Sequence, residues 1–315
     1  MNKKRKIKQN LQAYSFLLPN LILFIVCTLY PVVWALKYVF YQYGGYGTGE
    51  PRFVGFENLA RVFRDSVYWK SVANTFVYGF GKIVFIIPLA FFLAFLLNKQ
   101  TKGNSVAQSI IFLPTIMSSA VMGLVFYLLF NAYNGEVNKI LMSAHIINRP
   151  INWLGKDHAM QTLIITAIWG GVGNYMVYFI AGIQQVSQDA IESARIDGAG
   201  EWRILAKIVL PMSTPIIATL ALLVGLGYWN DWLNGLYYIN NDKLYSIQVL
   251  LNKMLLDVQY LMSGASGGAL TQSITLPATG IKMAVAVMGA LPILVVYPFF
   301  QKYFIKGVMI GAVKG

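Results

Sequence analysis

Hydrophobic residues in this chain cluster into long continuous runs and do not alternate with polar ones. A run of about 20 residues spans a hydrocarbon core of roughly 30 Å as a helix. Unbroken runs favour helices, because lipid offers backbone groups no partner outside their own segment. The pattern predicts an all-α integral membrane protein with six transmembrane helices. These helices cover about 14–40, 72–97, 106–130, 159–183, 208–230 and 281–300.

Composition and charge agree with a membrane protein. The chain has 315 residues, of which 57% are hydrophobic and only 12% charged, whereas soluble domains carry about 25% charged residues. The net charge of +13 does not indicate nucleic acid, because the basic residues gather at the ends of the apolar runs, as membrane topology requires. The bilayer is therefore the expected partner, and nucleic acid is not.

The distribution of Lys and Arg predicts the orientation. Both termini and the loops 98–105 and 184–207 would share one side of the membrane and carry 13 basic residues, against nine in the longer loops opposite. Basic loops face the cytoplasm, so both termini are expected there. Residues 1–71 would form the cytoplasmic N-terminus, the first span and an external loop. Residues 72–300 would form the core, and 301–315 a cytoplasmic tail.

The loop 184–207 has the features of two short helices joined by a turn. Ser187 is a helix-capping residue, and Glu192 and Arg195 are spaced to pair at i, i+3. The small residues Ala190, Ser193 and Ala194 share one face of the first helix. Asp197-Gly198-Ala199-Gly200 is turn chemistry, with glycine free to adopt positive φ. Pro211 suits the start of the fifth span.

This loop resembles a known signature. Glu192-Ser193-Ala194, Asp197-Gly198-Ala199 and Ile208-Val209-Leu210-Pro211 are similar to the EAA–G–I-x-L-P motif of binding-protein-dependent ABC importer permeases, with Ser193 where alanine is usual. Phe16-Leu17-Leu18-Pro19, residues 53–59 and Phe112-Leu113-Pro114 resemble carbohydrate-uptake permeases of the maltose type. The opening resembles the first of the two paired permeases and the tail the second, so either role remains open.

The resemblance implies a type I ABC-importer permease fold in a bacterial cell membrane. It implies that the chain forms half of the pathway for an oligosaccharide or related carbohydrate. The implied partners are a second permease, two cytoplasmic ABC ATPase subunits and an extracytoplasmic substrate-binding protein. Residues 187–207 would dock into the ATPase. The implied coupling residues are Glu192, Ser193, Ala194, Asp197, Gly198 and Ala199.

Several chemistries have no counterpart in the sequence. No G-x-x-x-x-G-K-[ST] phosphate loop occurs, so ATP and Mg²⁺ are expected on a partner and not on this chain. His145 and His158 lie in a predicted external loop without a ligand cluster, so neither a metal nor a catalytic site is expected. The lone Cys27 cannot form an internal disulfide. We expect a transport component, not an enzyme.

Charged residues within the spans are few. Lys37 and Lys282 lie near predicted outer ends and can extend toward the interface. Only Lys82 lies deeper, and no acidic residue falls inside a predicted span. A snorkelling lysine, or a span misplaced by several residues, is the favoured interpretation, with a cavity or a partner subunit as the alternatives.

A sugar pathway needs polar groups beside aromatic faces. Tyr175 in the fourth span and Trp229 and Asn230 at the end of the fifth are the candidates. Trp and Tyr also collect at membrane interfaces without any role in transport. A location at the interface is therefore the competing explanation for each of these positions.

Two other functions remain possible from the sequence. A self-sufficient secondary transporter of small polar solutes predicts inverted repeats and ion-coupling carboxylates in the spans, and neither is apparent. An integral-membrane enzyme or a scaffold is the third possibility. An enzyme would show a nucleophile or metal cluster at membrane depth.

The coupling interpretation makes a first prediction. We expect Gly198→Trp to leave membrane insertion intact but to uncouple ATPase activity from uptake, because it fills the tight turn at the docking surface. Parallel assays of ATP hydrolysis and transport measure this. Normal assembly with normal transport would refute the assignment.

Overall fold

The computed structural model describes residues 3–43, 50–99, 101–239, 241–264 and 279–312, and most of these are helical. The chain divides into two compact units. One comprises Met1–Asp65 and Met254–Ala290, and the other comprises Ser66–Lys253 and Leu291–Gly315. Residues 313–315 of the expected cytoplasmic tail lie outside the described residues.

The first unit contains the first predicted span. Its elements are α1 (Lys3–Phe24), a π-helical turn (Ile25–Leu29), α2 (Tyr30–Leu36), a 3-10 turn (Lys37–Phe40), β1 (Tyr41–Gln42), β2 (Arg52–Phe53) and α3 (Glu57–Arg64).

The second unit contains the middle of the chain. Its helices are α4 (Ser66–Leu97), α5 (Lys102–Ile116), α6 (Ser119–Leu129), α7 (Glu136–Ser143), α8 (Ala159–Ile183), α9 (Gln188–Ile196), α10 (Glu201–Ile204), a π-helical turn (Leu205–Val209), α11 (Leu210–Met212), α12 (Thr214–Trp229), α13 (Leu233–Tyr238) and a 3-10 turn (Asp242–Leu244). The last two helices, α14 (Ile247–Gly264) and α15 (Thr279–Ala312), each run through both units.

In the first unit, a short antiparallel sheet follows the first span. Tyr41 pairs with Phe53 in β1 and β2. The buried Asn58 of α3 donates to the carbonyl oxygens of Val39 (2.8 Å) and Tyr41 (3.0 Å). Because a buried amide must find partners, these bonds tie α3 to the end of the span. Residues 14–40 form an apolar helical stretch in which none of the most hydrophobic window is buried.

The second unit is built on α4 and α8. These two helices make its most extensive contact, with α5 packed on α8 and α12 on α4. The rings of Phe91 and Phe179 meet edge to face at 5.3 Å between centroids. The same apolar core continues through Ile183 and Val186 into the loop that follows α8.

The third and fifth predicted spans are bent, not straight. Helices α5 and α6 meet at 97°, and the helical segment Glu201–Met212 meets Thr214–Trp229 at 69°. Among the described residues four helices are long and apolar enough to cross a membrane, or six if each bent pair is one span. Pro211 lies in the first turn of α11, directly after the π-helical turn Leu205–Val209.

The fourth span is continuous despite its glycines. Helix α8 runs without a break through Gly170, Gly171 and Gly173. A Cβ atom at Gly173 would overlap the backbone of Ile111 and Phe112 in α5. The glycine therefore serves close helix contact, which is the common use of small residues between membrane helices.

The contact at Gly173 is testable. We expect Gly173→Ala to lower the free energy of unfolding by about 1–3 kcal/mol, because backbone atoms of α5 cannot move aside as a side chain would. Thermal unfolding in detergent measures this. Gly227→Ala in α12 is the control, since nothing lies within 4 Å of the added methyl group. Equal melting temperatures for the two variants would contradict the packing role.

Candidate functional site

The charged loop after α8 folds into two short helices around a left-handed glycine. As predicted, the Ser187 hydroxyl caps α9 by accepting a hydrogen bond from the amide of Ala190 at 3.3 Å. Gly198 has φ +80°, the conformation expected for the turn. The amide of Ala199 donates to the carbonyl oxygen of Ala194 at 2.9 Å, which closes the end of the helix.

The loop has a packed face and an exposed face. Ile191 is buried, and Ala194 and Ala199 are half-buried against the core shared by α4 and α8. Ile196 is 81% exposed and gives this face an apolar contact point. Four predicted coupling residues are also exposed: Glu192, Ser193, Asp197 and Gly198.

Arg195 forms a different ion pair from the one expected. Its guanidinium donates to both carboxylate oxygens of Glu201, at 2.9 and 3.2 Å, and the expected pair with Glu192 does not form. The turn at Gly198 brings Glu201 back toward the last turn of α9. An exposed ion pair stabilises a fold by at most about 1 kcal/mol. The main effect of this pair is therefore to orient α10 against α9.

Lys82 contradicts the expectation of a snorkelling side chain. It is 0% exposed, and its ammonium lies 3.5 Å from a carboxylate oxygen of Asp231. The ammonium also lies over two rings, 3.7 Å from the centroid of Tyr78 and 3.5 Å from that of Tyr228. Lys82 stays inside because it finds a counter-ion and two aromatic faces there.

Asp231 is a largely buried partner of Lys82 that the sequence pattern missed. It follows α12, just beyond the end of the fifth predicted span, and its side chain is only 11% exposed. Its carboxylate accepts hydrogen bonds from the Tyr78 hydroxyl at 2.8 Å and the Asn234 amide group at 2.7 Å. The available signal was a lone lysine in an apolar run, which calls for an intramembrane partner.

A polar cavity of about 220 Å³ lies beside this cluster. It is bounded by the break between α5 and α6, by α8 and by the corner between α12 and α13. Hydroxyl and amide groups dominate its polar lining. They belong to Thr115, Ser119, Thr166, Tyr228 and Asn234.

None of the three pathway residues predicted from the sequence lines this cavity. Half-buried Tyr175 lies next to Tyr228, and both side chains approach Gly171 of α8. Trp229 lines a separate, almost wholly apolar groove of about 180 Å³ and meets Phe76 edge to face at 5.3 Å. Exposed Asn230 donates to the carbonyl oxygen of Leu226 at 3.0 Å.

The predicted external loop 131–158 is held by one buried amide. Asn138 donates to the carbonyl oxygens of Ala132 (3.1 Å) and Ile151 (2.9 Å), and it accepts from the Trp153 indole at 2.9 Å. Exposed Tyr133 and Ile146 lie on this loop, 89% and 69% exposed. A preorganised loop with exposed apolar side chains is suited to protein contact.

The two histidines lie between α7 and α8. Within the described part of the chain, no group of three or more His, Cys, Asp or Glu residues could hold a metal ion. The His158 ring lies 6.0 Å from that of Trp153, and His145 occupies a left-handed turn.

Comparison with known families gives one match over most of the chain. The model of the family described as "Binding-protein-dependent transport system inner membrane component" matches residues 86–310. The matched region includes the two-helix loop, Asp231 and all the residues that line the polar cavity.

Individual relatives agree with that match. Protein LplC of Bacillus subtilis (strain 168) is 43% identical over 42% of this chain and 44% of its own length, so the match covers less than half of that protein. The lactose transport system permease protein LacF of Rhizobium radiobacter is 31% identical over 66% of this chain and 69% of its own length.

A solved structure shares the fold. It is the crystal structure of a bacterial alginate ABC transporter in complex with an alginate pentasaccharide-bound periplasmic protein. The matching chain superposes with a TM-score of 0.73 at 21% identity, over 95% of this chain and 96% of that one.

The turn of the loop is testable by a matched pair of glycines. We expect Gly198→Ala to destabilise the end of α9 by about 1–2 kcal/mol, because a side chain is strained at positive φ. Faster hydrogen exchange in residues 188–199 would report this. Gly200→Ala is the control, since Gly200 has φ −68° and open space around it. Equal exchange in the two variants would contradict the role of the turn.

Proposed function

Because this chain belongs to the family of binding-protein-dependent transport system inner membrane components, we propose that it is a permease subunit of an ATP-driven importer. In this proposal it forms half of the transmembrane pathway for an oligosaccharide or related carbohydrate. The observation that carries the proposal is a two-helix charged loop packed into the same core as the spans. A second permease would supply the other half.

The proposed topology has six spans with both termini in the cytoplasm of a bacterial cell. Four apolar helices and two bent pairs support this number of spans. The excess of Lys and Arg on the side of the termini supports the orientation. The bend between α5 and α6 falls beside the polar cavity, and irregular backbone at membrane depth is tolerated where it lines a cavity.

The proposed coupling surface is the exposed face of α9. Glu192 and Ser193 offer polar contacts, and exposed Ile196 offers an apolar contact to a groove on a cytoplasmic ATPase. Two such ATPase subunits would bind ATP and Mg²⁺ and close together. Because Ile191 lies in the core with residues of α4 and α8, movement of the loop would carry the spans with it.

The proposed carbohydrate site is the polar cavity. Its hydroxyl and amide groups suit sugar hydroxyls, which both donate and accept hydrogen bonds. Tyr228 adds an aromatic face, and Tyr175 lies next to it. Trp229 and Asn230, which follow Tyr228 in the chain, are further proposed contacts of the solute outside the cavity itself. An external binding protein would deliver the sugar, and the loop 131–158 is the proposed contact for it.

A self-sufficient secondary transporter is the second candidate function. The buried pair Lys82–Asp231 favours it, because intramembrane ionisable groups occur in proton relays. A secondary transporter needs no docking surface for an ATPase, so this function leaves the two-helix loop unexplained. Dependence on ATP, against dependence on a proton gradient, separates the two functions.

Uptake and copurification test the first function together. A tagged chain extracted from its own cells in mild detergent should carry a second permease and an ATPase. Intact cells should accumulate at least one of labelled lactose, maltotriose or an oligouronate in a protonophore-resistant, ATP-dependent manner. Vesicles holding this chain alone that accumulate solute would contradict the proposal.

A charge reversal tests the docking face. We expect Glu192→Lys to lower the copurified ATPase about tenfold, the effect of losing roughly 1.4 kcal/mol of binding. Glu57→Lys is the matched control, because Glu57 is also exposed and also on a helix, but in the predicted external loop. Equal ATPase recovery from the two variants would contradict docking through α9.

A further inference from the structure

The corner between α12 and α13 is held by one carboxylate. Helix α12 ends at Trp229 and α13 begins at Leu233, and Asp231 lies between them. One of its oxygens accepts from the backbone amide of Asn234 at 3.1 Å, and the other from the side-chain amide of the same residue at 2.7 Å. Asp231 thereby fixes both the start of α13 and the orientation of the Asn234 side chain.

The same carboxylate is anchored to α4. The Tyr78 hydroxyl donates to it at 2.8 Å, and the Lys82 ammonium lies 3.5 Å away and also donates to the Tyr78 hydroxyl. Tyr78 and Lys82 are one helical turn apart, so both side chains leave the same face of α4. The corner is therefore held to α4 by a hydrogen-bonded chain and a largely buried ion pair.

Two neighbours of this pair belong to the cavity wall. The ring of Tyr228 covers the Lys82 ammonium at 3.5 Å, and Asn234 is held by Asp231. Both Tyr228 and Asn234 line the polar cavity, whereas neither Lys82 nor Asp231 does. The charged pair therefore contacts the groups that face the cavity without facing it itself.

We propose that Lys82 and Asp231 are positioning residues of the transport path, which hold Tyr228 and Asn234 in the orientation that receives the solute. This inference rests on the proposed function, because it assumes that the polar cavity is the solute's path. The ammonium acts through the Tyr228 ring and the carboxylate through the Asn234 amide. Neither charged residue touches the solute.

Stabilisation of the fold alone is the competing explanation. A buried ion pair can often be replaced by apolar residues of similar volume without loss of stability, whereas removing one partner strands a buried charge. Single substitutions of Lys82 or Asp231 would therefore mix misfolding with loss of positioning. Double substitutions remove both charges and avoid this.

Two double variants separate positioning from charge. Lys82→Met with Asp231→Asn removes both charges but keeps an oxygen that accepts a hydrogen bond from Asn234. Lys82→Met with Asp231→Leu removes the acceptor as well. Methionine is used in both because its flexible thioether packs against the two tyrosine rings. Thermal unfolding of the detergent-extracted complex should be similar for both.

The transport readout compares the KM of the two double variants. The probe is whichever of lactose, maltotriose or the oligouronate the wild-type complex accumulates. We expect the KM of the leucine variant to exceed that of the asparagine variant about tenfold, as for the loss of one well-placed hydrogen bond to the solute. The maximal rate should differ much less. Equal KM values would overturn the positioning role.

A second readout needs no solute. Ala167 lines the cavity and is half-buried, so Ala167→Cys in a Cys27→Ser background reports access to the cavity by a water-soluble thiol reagent. We expect the labelling rate in the leucine variant to differ from that in the asparagine variant by several-fold. Equal rates would overturn the proposal, even if no saccharide in the panel is transported and the proposed function itself fails.

Tyr78→Phe covers the case in which the leucine variant does not fold. It removes the hydroxyl that holds the Asp231 carboxylate to α4, so that Asp231 and the Asn234 side chain bound to it are less firmly positioned, while both charges remain. We expect the labelling rate at Ala167→Cys to change in this variant relative to the parent that carries the same cysteine. An unchanged labelling rate in a stably folded Tyr78→Phe protein would overturn the inference.

Discussion

One continuous apolar core constrains the rest of the second unit, because it joins the membrane helices to the charged loop that follows them. Ile86 of α4 and Met176 of α8 belong to the same cluster of buried residues as Ile191 of α9 and Ile204 of α10. Protein interiors are close-packed and transmit displacement. The loop therefore cannot shift as a flexible connection would. Its exposed face is free to meet another protein while its buried face remains part of the bundle.

A second constraint acts on charge. A lone ammonium inside a bundle would be costly, so Lys82 requires Asp231, and Asp231 requires a break in the helix that brings it there. The break between α12 and α13, and the one between α5 and α6, both border the polar cavity. Both helix breaks therefore lie next to the polar lining of the cavity. There, backbone and side-chain polar groups find hydrogen-bond partners that lipid cannot supply.

The sequence predicted the elements better than their bends. Long apolar runs identify helices because burial in lipid depends on composition, and the cap at Ser187 and the turn at Gly198 follow from local backbone chemistry. The bend after Ile116 was not predicted, although Ser118 gives a local signal by capping α6 with a hydroxyl that accepts from the amide of Val121 at 3.3 Å. The Lys82–Asp231 pair was missed for a different reason. The two residues are far apart in the chain, and only the fold brings α4 to the corner after α12.

The first span differs from the other described spans in how little of it is buried. None of the most apolar window of residues 14–40 is buried by the described chain, and the family match begins only at residue 86. Within that window, exchanging one apolar side chain for another creates neither a void nor a clash among the described residues. These positions therefore require hydrophobicity, and packing against the described residues imposes no particular side-chain shape on them. Such a segment tolerates apolar substitutions that the close-packed core of the second unit would not.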